Sequence, residues 1–294
     1  TPLTDALLGI RYIISNEEIW ASNLSLCEQT MNKYVYENQQ NLALGYMVNP
    51  TLEQWKIVEG DPFVTQNDFV RLATDTQEAL FTPMTVSEPE VTGGMLTSTG
   101  EDKYFYERTA DNGTLTWQLT FTEQQDVYIY FEASHCEKLK VTIDGETETY
   151  SDKRGHIVHL GQCDAGKVVT LDFPMDNEYD TGNVKLQMYA FNNNVFESAH
   201  TQLADAQLQV TDYDSTHVTG SIQASQDGLM LLSVPYDEGW SVYVDGVKTE
   251  ISPVGEALTG CWLTVGTHEI TMRYLPQGFV EGAVLSTVSL LILV

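Results

Sequence analysis

The residues best suited to hold a ligand are aromatic rings set among polar side chains. Tyr236, Trp240 and Trp262, with Tyr243 between them, gather late in the chain, and Tyr128 and Tyr130 precede them. A flat ring beside hydrogen-bonding groups on an exposed surface is what a sugar needs. Tyr236, Trp240 and Trp262 are therefore the candidates for saccharide binding. The same rings also serve as sandwich core, where aromatics dominate the packing. Trp240 opens a strand beside Gly239, which core explains more simply; Tyr236, in the loop Pro-Tyr-Asp-Glu-Gly, suits either role. Trp117 reads as core.

Other reactive types are less promising. His156 and His159 have the nearest thing to metal-ligand spacing, but on a strand that spacing sends them to opposite faces. Asp144 and Asp245 recur, each before a glycine, and a tight turn accounts for both. None of Cys27, Cys136, Cys163 and Cys261 forms C-x-x-C or stands beside a histidine at zinc spacing. Cys136 and Cys163 could pair, but spacing supplies no geometry and free thiols are the expectation. There is no G-x-G-x-x-G, P-loop, G-x-S-x-G or H-E-x-x-H. No catalytic residue, metal or cofactor is expected in this chain.

The elements that must carry these residues are mostly strands. From about residue 100, runs rich in Val, Ile, Thr, Tyr and Phe alternate with turns, as in TLTWQLTF, DVYIYFE and KLKVTIDG, and later LMLLSVPY, WSVYVDG and HEITMRYL. DVYIYFEASHCEKLKVTIDG (Asp126 to Gly145) aligns without gaps to DGLMLLSVPYDEGWSVYVDG (Asp227 to Gly246), an offset of 101 positions. Thr170-Leu171-Asp172-Phe173 matches Thr271-Met272-Arg273-Tyr274 at the same offset, which makes an internal repeat. Each copy runs an alternating strand into Asp-Gly, the dipeptide of a hairpin turn.

The expected class is mainly β: a small N-terminal α/β unit, two tandem antiparallel β-sandwiches of jelly-roll type, and the start of a C-terminal transmembrane helix. The boundaries fall at 1–85, 86–194, 195–277 and 278–294. In the first segment LLGIRYIIS, KYVYEN and LALGYMV read as strands, and NPTLEQWKIV and DPFVTQNDFVRLATD as helices, the second with Asp61 as N-cap and Pro62 in its first turn. Residues 82–99, with Pro83, Pro89, Gly93 and Gly94, read as a linker. Phe196, Ala199 and Leu203 share a helical stripe in the connection between sandwiches.

The 294 residues carry a formal charge of −28, from 42 acidic and 14 basic side chains. Nucleic acid is thus excluded as a partner, since its affinity depends on basic groups at phosphates. The acids are dispersed and form a solvated surface. GAVLSTVSLLILV (Gly282 to Val294) is uncharged. It is shorter than the roughly 20 residues of a spanning helix and reads as the beginning of one, with a buried strand or core helix as the alternative. The nearest basic residue before it is Arg273, and a flank poor in Lys and Arg belongs outside the cytoplasm. The chain opens on Thr, so a portion of a longer protein is expected.

PYDEGWSVYVDG, then VGTHEITMRYLPQGF leading into the apolar run, resembles the C-terminal end of YfhO-family bacterial membrane proteins. LLGIRYIIS, YVYENQQNLALGYMVN and DPFVTQNDFVRLA resemble that family's N-terminal pieces, with Ala43 where its pattern has proline. The resemblance implies a polytopic membrane protein similar to GT-C glycosyltransferases, which use lipid-linked sugars; some members are linked to glycosylation of cell-wall polymers such as lipoteichoic acid. It places the catalytic acid in an early extracytoplasmic loop outside this chain. This portion is then non-catalytic and lies at the outer face of the cell membrane, with a lipid-linked sugar or a cell-wall glycopolymer as partner. A polyanionic acceptor would be repelled by so acidic a surface, so either divalent cations bridge the two or, the favoured reading, the sandwiches do not bind the polymer and instead roof the embedded site or pack on other extracytoplasmic loops. The alternatives are a membrane-anchored surface protein with carbohydrate-binding sandwiches, and passive spacers.

Overall fold

The structure, a computed structural model, describes every residue except 17, 20, 22, 32, 152, 153 and 294. It is mainly β and forms two compact units. One contains Val58–Val64 and Ala79–Asn193; the other contains Thr1–Ile57, Thr65–Glu78 and Asn194–Val294. These units cut across the boundaries at 85 and 194, because most of the N-terminal stretch clusters with the C-terminal half.

The first unit is a sandwich of two antiparallel sheets. One sheet has the order Arg154–Cys163, Gln125–Ser134, Thr181–Phe191, Lys103–Arg108, Gly94–Gly100, with Phe81–Met84 also paired to Thr181–Phe191. The other runs Glu146–Tyr150, Leu139–Ile143, Val168–Pro174, Thr114–Thr120, Glu90–Thr92. Residues 82–99, expected as a linker, are thus largely edge strands. Pro83 is tolerated there because an edge position need not donate on both sides. Strand alternation sends Val127, Ile129 and Phe131 into a core with Trp117, Tyr106 and Phe173, and leaves Tyr128, Tyr130 and Glu132 on the outer side.

In the second unit one sheet runs Gln209–Tyr213, His217–Ala224, Gly266–Tyr274, Trp240–Val244, Val247–Thr249. The facing sheet runs Ile251–Val254, Leu258–Leu263, Gly228–Pro235, Gly45–Val48. Met230, Leu232, Val242, Cys261, Ile270 and Met272 fill the space between. Tyr12–Ser15, Lys33–Asn38 and Leu24–Thr30 form a small separate sheet. The run LLGIRYIIS therefore splits: Leu7 ends a short helix α1 (Pro2–Leu7), and the strand begins only at Tyr12. NPTLEQWKIV is helical only as the 3-10 turn Pro50–Gln54. Helix α2 (Pro62–Ala73) starts as expected, the Val64 N–H donating to Asp61 Oδ1 at 3.1 Å. Helix α3 (Asn193–Leu203) buries Val195, Phe196, Ala199 and Leu203.

The repeat is visible in the strand register. Val141 opposes Leu171, which opposes Trp117; 101 positions on, Val242 opposes Met272, which opposes Val218. Asp144 (φ 52°) with Gly145 (φ 87°), and Asp245 (φ 52°) with Gly246 (φ 80°), make the hairpin turns with two consecutive positive φ angles. Even the turn's partner repeats. Lys167 Nζ lies 3.5 Å from Asp144 Oδ2, and His268, 101 positions later, lies 2.7 Å from Asp245 Oδ2.

That second pair makes stability depend on pH. The hydrogen bond to Asp245 holds His268 above its ordinary pKa, and the bonds from His268 and the Glu269 N–H hold Asp245 below its own. The imidazolium is favoured in the folded state, so its contribution is complete below about pH 6.5, the ordinary histidine value. It is lost as pH rises through the raised folded value, and the aspartate's share is lost as pH falls through its depressed one. His268→Gln is expected to flatten the dependence of Tm on pH above about 6.5. Calorimetry across that range checks it; an unchanged slope would refute the assignment.

After Tyr274 comes α4 (Phe279–Leu293), in which every side chain from Phe279 to Ile292 is exposed. Its 15 residues rise about 22 Å, against roughly 30 Å of bilayer hydrocarbon. Among the described residues no helix is long and apolar enough to cross a membrane.

Candidate functional site

The outer side of the first unit's larger sheet is divided in two. Its lower half is closed by aromatics: Phe63 packs on Phe81 (4.8 Å between ring centroids) and Tyr189 (4.4 Å), and Phe81 packs edge-on against Tyr128 (5.5 Å). His159 stacks on Tyr128 at 4.2 Å and meets Asp126 Oδ1 at 2.5 Å. The upper half is polar and open. Cross-strand register sets Glu132 beside Lys185 and Lys185 beside Lys103, with Ser134 beside Asn183 in the next row. Outward parity along three neighbouring strands creates this group.

The result is a cleft of about 600 Å³ bordered by Glu59, Gly60, Thr99, Lys103, Glu132, Ser134, Asn183 and Lys185. Its floor is fixed. The Lys185 ammonium lies 5.4 Å from the centroid of the Tyr130 ring and donates to the Gly60 carbonyl, while the Tyr130 hydroxyl donates to Glu132. Burial, then the Glu132 bond, raises the Tyr130 pKa, so the phenol remains a donor. Burial likewise raises Asp102, with Glu101 adding to it and Lys185 opposing. Lys103 and Asn183 are exposed. Ammonium and amide donors, carboxylate acceptors and a hydroxyl around an open space match the hydroxyls of a sugar ring. Among the described residues no three His, Cys, Asp or Glu side chains are placed to hold a metal ion.

Of the rings singled out from sequence, Tyr236 is half-buried and its N–H donates to the Ala257 carbonyl at 2.9 Å. Trp240 is half-buried against the second sandwich's core and packs on Tyr274 at 4.9 Å. Trp262 is 47% exposed, on the opposite side of its strand from Cys261 and Leu263. Trp240 faces into the sandwich from one sheet and Trp262 faces out from the other, so the two do not share a surface. His156 lies against Phe131 (5.9 Å) and Tyr150 (5.5 Å), on the other face from His159. Neither Cys136 nor Cys163 forms a disulfide, and burial pushes the Cys163 thiol up to about 11.

Lys103, Glu132, Asn183 and Lys185 escaped sequence reasoning because only strand register joins them. A signal existed: Glu132 has the outward parity of the candidate rings Tyr128 and Tyr130.

The family model described as "Bacterial membrane protein YfhO" matches residues 1–286. The "Uncharacterized protein YfhO" of Bacillus subtilis (strain 168) is 28% identical over 116 residues, 40% of this chain and 13% of that protein. Solved structures with partial overlap include "Carbohydrate-Binding Module CBM36 in complex with calcium and xylotriose" (13% identity, 37% of this chain, 100% of that one, TM-score 0.24). Another is the Podospora anserina GH26-CBM35 mannanase (10% identity, 38% of this chain, 28% of that one, TM-score 0.25). Overlaps that low carry no argument. The family match covers nearly all of the sequence, in keeping with the ordered motifs at both of its ends: the chain belongs to the YfhO family of bacterial membrane proteins.

Proposed function

We propose that this chain is the extracytoplasmic, non-catalytic portion of a membrane-embedded glycosyltransferase of the lipid-linked-sugar type, and that its sandwiches guide a saccharide toward the embedded site. The observation that carries the reading is α4. From Gly282 to Ile292 this helix is uncharged and exposed on every side, a surface better suited to lipid than to water; fused to a sandwich strand, it supports attachment of the acidic β-rich mass to a membrane. The flank poor in basic residues favours a place for that mass outside the cytoplasm. The cleft above Tyr130 supplies the contact for sugar hydroxyls, and Trp262 offers a second, exposed ring.

Sidedness is testable with the protein's own thiols, because Cys27 is exposed whereas Cys136, Cys163 and Cys261 are buried. In intact cells making the full-length protein, a membrane-impermeant maleimide is expected to label Cys27, with Cys27→Ser as control. Labelling only after permeabilisation would overturn the reading. For the saccharide role, titration calorimetry of this chain with a panel of hexoses and N-acetylhexosamines is expected to find a binder whose affinity falls about tenfold in Lys103→Ala or Asn183→Ala, the loss of one charge-assisted or neutral hydrogen bond. Identical affinities in wild type and both variants would remove the cleft from the account.

A further inference from the structure

The two sandwiches are copies, and one strand of the second copy comes from an unexpected part of the chain. In the first, Gln125–Ser134 lies between Arg154–Cys163 and Thr181–Phe191, the latter being the next strand after Val168–Pro174. Ile129 opposes Met188 and Phe131 opposes Leu186. The residues 101 positions after Ile129 and Phe131 are Met230 and Leu232, and these oppose Met47 and Gly45. Gly45–Val48 thus occupies the place of Thr181–Phe191, antiparallel and in the same register.

The segment that the repeat itself would put there has become helix. Positions 101 beyond Leu186 and Met188, which face the first core, are Thr287 and Ser289 in α4. In strand form at that register they would bring two hydroxyls against the buried Met230 and Leu232. Gly45–Val48 avoids this. Met47 packs on the second core. A Cβ at Gly45 would stand 2.9 Å from Leu232 Cδ2 and 3.3 Å from Leu208 Cβ, so its bareness makes room for Leu208. The far edge is held as well: the Leu208 N–H donates to the Gly45 carbonyl at 2.8 Å, and the Met47 N–H to the Ala206 carbonyl at 2.9 Å.

We infer that the edge of Gly228–Pro235 that the repeat leaves unfilled is an acceptor surface for an extended segment of this same chain, Gly45–Val48, and that this donation frees the apolar segment after Tyr274 from completing the sandwich. The second sandwich is not self-sufficient: it assembles from both ends of the sequence. Only the use to which the freed helix is put rests on the membrane reading.

Hydrogen exchange on this chain without lipid tests the donation separately from that reading, which the Cys27 labelling addresses. Val48→Pro removes an N–H that, one position on from the Met47 N–H bound to Ala206, faces Leu229 of the acceptor strand. Exchange in residues 228–235 is expected to quicken at least tenfold, with residues 125–134 of the first sandwich unchanged as an internal control. Moving residues 42–49 to follow Tyr274 through a short Gly-Ser linker, in place of both their native position and α4, is expected to restore protection. Protection of 228–235 that survives Val48→Pro, or that the relocated strand fails to restore, would overturn the inference.

Discussion

Trp117→Ala is expected to destabilise the first sandwich by about 3–5 kcal/mol, the cost of emptying a large aromatic site in a core. Trp117 is 1% exposed and wedged between Tyr104 (5.6 Å) and Phe173 (5.4 Å), both at steep ring angles. Domains of this size have roughly 5–15 kcal/mol of stability in all, so this unit's transition should fall by on the order of 10–20 °C. Calorimetry should show that transition moving while the second unit's stays. Trp117→Phe is expected to cost much less. The indole N–H has no hydrogen-bond acceptor among the described residues, so phenylalanine keeps most of the volume and removes an unsatisfied donor. Equal losses in the two variants would mean that packing is not what Trp117 supplies.

The second large effect is expected at Gly182, on the strand Thr181–Phe191. A Cβ there would stand 2.4 Å from the Ser134 carbonyl oxygen and 2.4 Å from the Tyr106 hydroxyl. Neither neighbour yields easily: one is backbone, and the other is a fully buried ring whose hydroxyl donates to the His135 carbonyl at 2.5 Å. Gly182→Ala is expected to cost about 3 kcal/mol, through overpacking and the displaced tyrosine bond. The cause can be isolated with a double-mutant cycle. In a Tyr106→Phe background the alanine should cost about 1 kcal/mol less, since part of the clash and the bond at risk are gone. Strict additivity would point to Ser134 alone.

These two sites lie where local sequence rules and the fold agree. The alternating strands, the Asp-Gly turns and the offset of 101 were legible because each depends on neighbours in sequence or on the copy. The helix over Phe196, Ala199 and Leu203 was legible for the same reason. What escaped was set by register over long distances. Gly45–Val48 reads as a strand of a small N-terminal unit until Gly228–Pro235 is seen to lack its closing partner. The prolines and glycines of residues 82–99 suggested a linker, whereas they mark edge strands that do not need a full ladder of hydrogen bonds. Trp240 and Trp262 are equally aromatic on paper; only the sheet to which each belongs decides that one faces inward and the other outward. The cleft was hidden because Lys103, Glu132 and Lys185 are scattered in sequence and meet through cross-strand pairing.

The acidic surface bears on what approaches the cleft. With a formal charge of −28, the chain repels polyanions over a screened range of about 10 Å. On the proposed saccharide role, Lys103 and Lys185 set among carboxylates would favour a neutral sugar unit over a phosphate-rich polymer.

Everything about location depends on α4 meeting lipid. The direct test is a nitroxide scan of Val284, Leu285, Val288 and Leu291 in the full-length protein in lipid nanodiscs, comparing accessibility to oxygen and to a water-soluble nickel chelate. High oxygen and low nickel accessibility is expected at all four positions. Nickel accessibility at any of them equal to that of a label at exposed Asp214, on the second sandwich, would contradict the contact of α4 with lipid.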